Sequence, residues 1–263
     1  MSRAVLTLLL LLGAIPPASA QSAFTAGQLS QLSFHQHLGA ALPLDTPLRD
    51  ENGGEVTLGS FFGHDRPVVL VLDYLHCETL CGFVLSDLIQ SLDSVPLTAG
   101  RDFDVLAISI DPHDGPAESR AARLQYLART AHSGGGWHFL TADDAAIHSI
   151  AAVVGFAYLY DSAADQYAHP AGITIAAPTG TIARYILGVD YAPLDLRLGL
   201  TEAAQGAIST PATALLLLCY CYDPATGRYS AQINTTLRVL AGATVLGIGA
   251  MIARLSGFSL RKG

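Results

Sequence analysis

The feature that most constrains the fold is a strongly apolar run that ends just before two closely spaced cysteines. The run spans residues 68–74, and a continuous apolar stretch of this length is typical of a central strand buried on both faces. Cys77 and Cys81 follow, and residues 82–92 have the pattern of a helix. Two cysteines four residues apart lie on one face of a helical turn. Both sulfurs are therefore predicted to point the same way from a helix N-terminus, whose partial positive charge favours the thiolate.

The order of the other predicted elements indicates a thioredoxin-like α/β domain. A β-hairpin over residues 43–58 is predicted before the apolar strand, and crossover helices after that strand make the first part of the sheet parallel. Residues 173–187 are typical of an antiparallel hairpin, so the sheet is mixed. In such a sheet the functional site lies at the carboxyl end of the first central strand, where Cys77 falls. Further strands are predicted at residues 103–110, 137–140 and 156–160, and helices at residues 116–131, 143–154 (with Thr141 as the N-cap) and 194–207.

The N-terminal residues 1–20 are predicted to form a secretory signal peptide. Arg3 supplies its positive charge, residues 4–15 its apolar segment and Ala18-Ser19-Ala20 its cleavage site. The alternative is an uncleaved N-terminal anchor. The body of the chain is exported under either interpretation.

A second apolar segment, residues 239–253, is predicted to belong to a C-terminal transmembrane helix at residues 237–260. The segment alone reaches only about 22 Å at about 1.5 Å per residue, against a membrane core of about 30 Å. The length suffices if Arg254 extends its charge to the interface and the following residues contribute. Arg254, Arg261 and Lys262 then lie on the cytoplasmic side. The alternative is a buried helix, and the expected location is the bacterial inner membrane with the main domain in the periplasm.

Between the predicted signal peptide and the predicted transmembrane helix, the chain divides into three segments. These are a polar segment at residues 21–41, the thioredoxin-like domain at residues 42–207 and a membrane-proximal tail at residues 208–236. The domain is long enough for one well-packed core. The net charge of −8, with Lys262 as the single lysine, argues against nucleic-acid binding.

The four cysteines fall into two close pairs, Cys77 with Cys81 and Cys219 with Cys221. An even number of cysteines in an exported protein usually forms structural disulfides, which normally close longer loops. Pairs with so few residues between them constrain almost none of the chain, so chemistry is favoured, most firmly for the first pair. In the second pair, packing of Cys219 as a small apolar residue is favoured over a second metal site.

His169 is the third candidate residue of the predicted site. It lies in the loop before the late strand, and in a thioredoxin-like fold that loop comes close to the helix N-terminus that bears the cysteines. Two thiolates and one imidazole make a soft site that favours Cu(I) and can also bind Cu(II), whereas zinc would need a fourth ligand or water. Without this fold argument, a role for one of nine histidines would not be indicated. His35 and His37 could also form a metal pair on one strand face, although a disordered polar segment is favoured there.

The motifs around these candidates resemble those of the Sco/SenC proteins, which are exported copper chaperones of cytochrome c oxidase assembly with a thioredoxin-like fold. The resemblance spans about residues 42–188, and the three-residue spacer between the cysteines is specific, because general thiol oxidoreductases use two. It implies a copper ion, as Cu(I), Cu(II) or both, held by Cys77, Cys81 and His169. Four features carry it: His76-Cys77-x-x-x-Cys81, Ser109-Ile110-Asp111-Pro112, His169 with Asp165 before it, and Ala177-Pro178-Thr179-Gly180.

The chain departs from the pattern of these relatives in two places. Glu78 stands where relatives usually have proline, and Asp111-Pro112-His113-Asp114-Gly115 replaces the usual Asp-Pro-x-x-Asp-Thr. Asp111 is predicted to lie behind the ligands and to orient them, with a structural loop cap as the alternative. His113 is predicted to be a solvated loop histidine rather than a ligand.

Two functions compete at this stage. The first is a membrane-tethered copper chaperone, which takes copper from a periplasmic donor and passes it to the copper-bearing subunit of a cytochrome c oxidase. The periplasm tends to oxidise the cysteines, so a thioredoxin-like reductant is implied. The second is a thiol–disulfide oxidoreductase that reduces the cysteines of that subunit, for which His169 would be dispensable. A peroxidase or a purely structural domain is disfavoured, and a metallochaperone is favoured over an enzyme.

Overall fold

A computed structural model of the protein describes residues 32–75, 82–128, 130, 135–162 and 166–210, together with residues 222–223, 228–229 and 244. Contacts divide the chain into two units, one comprising residues 26–221 and the other comprising residues 1–25 and 222–263. The larger unit contains the predicted α/β domain.

The domain begins with the predicted hairpin, formed by β1 (Pro47–Arg49) and β2 (Glu55–Thr57). The Asp50 carboxylate closes its turn, because it accepts hydrogen bonds from the backbone N–H groups of Asn52 (2.9 Å) and Gly54 (2.7 Å). The first strand starts later than predicted, since the residues before it form a separate turn. A 3₁₀ turn at Leu58–Phe61 then leads into the central sheet.

The central sheet is mixed, as the sequence predicts. The strands that follow the hairpin are β3 (Val68–Asp73), β4 (Asp104–Ser109), β5 (Trp137–Leu140), β6 (Leu159–Asp161), β7 (Gln166–Ala168), β8 (Gly172–Ala176) and β9 (Ile182–Leu187). The sheet has the order β5-β4-β3-β8-β9. The β3–β4 and β4–β5 pairs are parallel, whereas β8 runs antiparallel to both β3 and β9. β3 is therefore the middle strand, and its carboxyl end is the expected place for the site.

Helices cover both faces of the sheet, which explains why every residue of β3 and β4 is buried. The helices are α1 (Gly82–Asp93), α2 (Pro116–Leu127), α3 (Asp144–Val154) and α4 (Pro193–Ala204). Alternate residues of β3 enter different cores. One core joins Val69 and Val71 to α1, α2 and α4, and the other joins Leu70 to α3. Each large aliphatic side chain buried this way contributes about 1.5–3 kcal/mol.

The predicted N-cap at Thr141 is wrong, because Asp143 caps α3. The Asp143 side chain accepts a hydrogen bond of 2.8 Å from the backbone N–H of Ala146. Thr141 is buried and instead exchanges backbone hydrogen bonds with Arg49, which attaches the hairpin to the end of β5. Both residue types are good caps, so the tertiary contact decides between them.

The predicted strand at residues 156–160 is displaced. Within this stretch only Leu159 and Tyr160 belong to β6, which pairs antiparallel with β7 in a separate two-stranded sheet. Phe156 forms an isolated bridge with Phe34 instead.

In the other unit, the described strands β10 (Tyr222–Asp223) and β11 (Arg228–Tyr229) pair antiparallel. No helix among the described residues is both long enough and apolar enough to span a membrane. The predicted signal peptide and, apart from Thr244, the predicted transmembrane helix lie outside the described residues, as do Cys219 and Cys221.

Candidate metal centre

The two predicted cysteine ligands lie outside the described residues, but the elements on both sides of them are described. β3 ends at Asp73 and α1 begins at Gly82, so Cys77 and Cys81 belong to the connection between the carboxyl end of the central strand and the start of a helix. This connection is where the sequence predicts the site.

His169 lies at the same end of the sheet. Its Nε2 atom is 3.6 Å from Oδ1 of Asp73, and the two side chains are 5% and 2% exposed. Its Nδ1 atom is 3.2 Å from the carbonyl oxygen of Pro170, and its ring lies 5.7 Å from that of Phe156, centre to centre. The structure therefore places this buried imidazole against the end of the strand that leads to Cys77.

Two strand pairings hold His169 in this place. β7 ends at Ala168, whose register partner in β6 is Leu159. β8 begins at Gly172 and pairs with β3. The sequence predicts only a loop before β8, because β7 is three residues long and carries no clear alternation of polar and apolar side chains.

Asp73 is the main residue that the sequence analysis missed. It is 1% exposed at the end of an otherwise apolar strand, and its Oδ1 atom accepts a hydrogen bond of 2.7 Å from the backbone N–H of Tyr74. A single carboxylate inside an apolar run was the signal that could have identified it, since a buried charge requires partners.

Tyr191 lies near the carboxylates of both Asp73 and Asp87. Tyr191 is buried after β9, and its hydroxyl has no hydrogen-bond partner among the described residues. Burial, followed by the charges of Asp73 and Asp87, raises the pKa of Tyr191. The Asp87 carboxylate, on α1, accepts hydrogen bonds from the backbone N–H groups of Asp190 and Tyr191, so it holds this loop against the helix.

Asp111 caps its own loop and also contacts the hairpin that carries His169. Its Oδ1 atom accepts a hydrogen bond of 2.9 Å from the backbone N–H of His113 and lies 2.8 Å from Nδ1 of that residue. It also lies near Tyr167, whose pKa is raised to about 12 by burial and by the Asp111 charge. These contacts agree with the loop-cap alternative, and an effect of Asp111 on the ligands stays a prediction. The His113 side chain is 86% exposed.

The tyrosine rings around Tyr167 connect this hairpin to the end of β3. The Tyr167 ring centre lies 5.0 Å from that of Tyr160, 6.0 Å from that of Tyr158 and 5.6 Å from that of Tyr74. Tyr158 in turn lies 6.1 Å from Phe156, the ring that packs against His169.

His35 and His37 have different hydrogen-bond partners in the structure. Nδ1 of His37 lies 3.0 Å from the carbonyl oxygen of Val153, and His35 contacts Ser33. Among the described residues, which exclude both predicted cysteine ligands, no group of three or more His, Cys, Asp or Glu side chains could hold a metal ion.

Comparison with known proteins identifies the family. The sequence model of SCO1/SenC matches residues 44–193, more than half of the chain. The chain belongs to the SCO1/SenC family. This result confirms the resemblance drawn from the motifs around Cys77, Cys81 and His169. A search of curated protein sequences found no match.

Solved structures agree with this family assignment. Two proteins of Aquifex aeolicus VF5 carry provisional assignments to electron transfer and electron transport. They are 26% and 25% identical to this chain, with TM-scores of 0.58 and 0.55, covering 65% and 64% of this chain and 95% and 99% of their own. Arabidopsis thaliana ScoI, solved with copper bound, is 18% identical with a TM-score of 0.51, covering 64% of this chain and 99% of its own. At that identity the likeness shows the fold alone, which is the predicted thioredoxin-like α/β fold.

Proposed function

We propose that this SCO1/SenC protein is a copper chaperone that binds copper through Cys77, Cys81 and His169 and delivers it to the copper-bearing subunit of a cytochrome c oxidase. The observation that carries the proposal is the position of His169, buried at the carboxyl end of the strand that leads to the two cysteines. The copper-bound ScoI of Arabidopsis thaliana, which shares the fold, supports copper as the cargo.

The donor set suits the binding and release of copper. Two thiolates satisfy Cu(I), and the imidazole adds a harder nitrogen ligand that favours Cu(II). The His169 side chain is only 5% exposed, so little water surrounds its imidazole. A site with few ligands also permits transfer, because a ligand of the receiving protein can enter while one of the three leaves.

The proposal includes an exported, membrane-tethered protein. Residues 1–20 direct export, residues 237–260 anchor the chain in the bacterial inner membrane, and the domain at residues 42–207 works in the periplasm. A periplasmic donor supplies the copper. A thioredoxin-like reductant keeps Cys77 and Cys81 reduced, because that compartment oxidises thiols.

The second candidate is a thiol–disulfide oxidoreductase that reduces the cysteines of the oxidase subunit. It uses Cys77 and Cys81 and does not need His169. A buried imidazole against Asp73 is unnecessary for thiol exchange, and for this reason we favour copper binding.

Metal analysis of the reduced full chain in detergent separates the two candidates. We expect one copper per chain in wild type and in the exposed-histidine control His113→Ala, and much weaker binding in His169→Ala. The Cys77–Cys81 reduction potential is measured on the same samples. A wild type that binds no copper but readily cycles this disulfide, whether or not His169 is present, would establish the oxidoreductase.

A further inference from the structure

The hydroxyl of Tyr191 is a buried hydrogen-bond donor for which the described residues provide no partner. Tyr191 is 2% exposed, and its hydroxyl oxygen makes no hydrogen bond to any described residue. Buried hydroxyls are normally hydrogen-bonded, because an unpaired one has lost its contact with water and gained nothing in return. The similarly buried Tyr185, by contrast, donates a hydrogen bond of 2.9 Å to the carbonyl oxygen of Val154. The partner of the Tyr191 hydroxyl is therefore to be sought outside the described residues.

Tyr191 is held against α1, the helix that follows the two cysteines. The Asp87 carboxylate, on α1, accepts a hydrogen bond of 3.1 Å from the backbone N–H of Tyr191. Tyr191 also belongs to the same core as Leu85 and Leu88 of this helix. Burial, followed by the charges of Asp73 at the end of β3 and of Asp87, raises the pKa of Tyr191. The hydroxyl therefore keeps its hydrogen at neutral pH and remains a donor.

The spacing of residues along α1 indicates Cys81 as the partner. Cys81 directly precedes Gly82, the first residue of α1, and stands four positions before Leu85 and seven before Leu88. Residues four and seven apart lie on one face of a helix. The helical period therefore predicts that Cys81 continues the face of α1 that packs with Tyr191. A thiolate at this position is an anionic acceptor, which suits a hydroxyl donor.

We infer that the Tyr191 hydroxyl donates a hydrogen bond to the thiolate of Cys81 and makes the copper site favour Cu(I) relative to a site without this donor. The inference rests on the proposed function. A hydrogen bond to a thiolate ligand withdraws electron density from the sulfur, so the sulfur donates less charge to the metal. Cu(II) loses more from this than Cu(I), because the more highly charged ion depends more on charge donation. Hydrogen bonds around a cysteine sulfur are a known means of tuning the reduction potential of bound metal.

The test compares wild type with Tyr191→Phe in the full chain in detergent. The substitution removes one oxygen and keeps the ring, so the packing of the core is retained. Cu(I) affinity is measured by competition with a chromophoric Cu(I) chelator, and Cu(II) affinity by competition with a Cu(II) chelator. We expect the ratio of Cu(I) to Cu(II) affinity to fall about 10-fold, as for the loss of a hydrogen bond to a charged group. The thiolate-to-Cu(II) absorption band should move to longer wavelength, because the sulfur lone pair rises in energy.

Tyr185→Phe is the matched control. The Tyr185 hydroxyl donates to the carbonyl oxygen of Val154 and accepts from the backbone N–H of His37, and its ring belongs to the other core. This variant should lose stability to urea because it loses satisfied hydrogen bonds, while its copper affinities stay those of wild type. Tyr191→Phe should behave differently when Cys77 and Cys81 are joined as a disulfide. No thiolate is then present, so the oxidised variant should be at least as stable as oxidised wild type.

A further measurement requires no copper. A donor to the Cys81 thiolate stabilises the reduced form of the cysteine pair and raises its reduction potential. Tyr191→Phe should therefore make the Cys77–Cys81 disulfide about 10-fold harder to reduce, which corresponds to about 30 mV for two electrons. The potential is measured at about pH 9, where cysteine thiolates prevail.

The outcomes are distinct. The inference is overturned by an unchanged affinity ratio in Tyr191→Phe, by an unshifted absorption band, by an equal change of ratio in Tyr185→Phe, or by a loss of stability in oxidised Tyr191→Phe. An unchanged disulfide potential also overturns it. A wild type that binds no copper would overturn the proposed function and the preference for Cu(I). A lowered disulfide potential in Tyr191→Phe would, in that case, still support the hydrogen bond to Cys81.

Discussion

Each end of the central sheet contains a buried aspartate, and the two aspartates have different partners. At the amino ends of the parallel strands, Asp104 opens β4 and its Oδ2 atom is 2.5 Å from Nε of Arg66. At the carboxyl end, Asp73 closes β3 and lies 3.6 Å from an imidazole. We refer to these as the amino-end pair and the carboxyl-end pair.

The amino-end pair is a structural contact, whereas the carboxyl-end pair is suited to binding a ligand. Arginine is always charged, so the contact between Arg66 and Asp104 needs no ligand in the folded protein. Histidine has a nitrogen that can serve a metal while the other contacts the carboxylate. The comparison predicts that changes at the carboxyl end affect copper, whereas changes at the amino end affect stability.

The largest expected effect is the loss of copper binding when a ligand at the carboxyl end is removed. Cys77→Ala and Cys81→Ala should each abolish stoichiometric copper binding, because each removes one of two thiolate ligands. Their thermal unfolding should stay close to that of reduced wild type. Metal analysis after dialysis, together with circular dichroism melts, checks both expectations. Stoichiometric copper in either variant would contradict the site assignment.

The next largest expected effect is a loss of stability at the amino end. Arg66→Ala should lower the free energy of unfolding by about 2–3 kcal/mol, because the Asp104 side chain, 2% exposed, loses its cation. Copper affinity should not change. Urea unfolding and the chelator competition measure the two quantities.

A matched control exists for that variant. Arg49→Ala removes another arginine–carboxylate contact, to Glu55 at 3.8 Å, with both side chains largely exposed. Its cost should be below about 1 kcal/mol. Equal losses of unfolding free energy for Arg66→Ala and Arg49→Ala would show that burial does not make the amino-end pair stronger than an exposed pair.

A smaller effect is expected in the pH dependence of stability. His138 lies near Asp104 and Arg66, and burial is the main cause that lowers its pKa below the ordinary value of about 6.5. The unfolded chain then binds this proton more readily than the folded protein, so stability falls as the pH drops below that ordinary value. His138→Gln should reduce this loss, as measured by urea unfolding between about pH 7 and pH 5. An unchanged pH profile would show that other groups cause the loss.

The smallest effect is expected at the hairpin that carries His169. Tyr167→Phe removes a hydroxyl that lies near the Asp111 carboxylate and should cost at most about 1 kcal/mol of stability. Its effect on copper affinity should be below that of His169→Ala, since His169→Ala removes a proposed ligand. Tyr160→Phe, on an exposed neighbouring ring, is the control. A larger copper effect from Tyr167→Phe would give Asp111 the orienting role first predicted for it.

The sequence pattern is sufficient for the central strands and insufficient for the polar contacts at the site. β3 and β5 are predicted within one residue, because long or well-bounded apolar stretches specify buried strands. The placement of His169 near the carboxyl end of β3 follows from topology and agrees with the structure. Asp73 is missed because its role depends on a partner 96 positions later in the chain. The cap of α3 is misplaced because Thr141 is used in a contact with the hairpin.

The small sheet of β6 and β7 has a consequence for how the two walls of the site are connected. Among the described strands, these two pair only with each other, so moving them breaks none of the backbone hydrogen bonds of the five-stranded sheet. Asp73 belongs to the rigid middle strand, whereas His169 directly follows β7. One wall of the site thus belongs to the five-stranded sheet, whereas the other belongs to a separate two-stranded sheet that joins the first through the short link from His169 to Gly172.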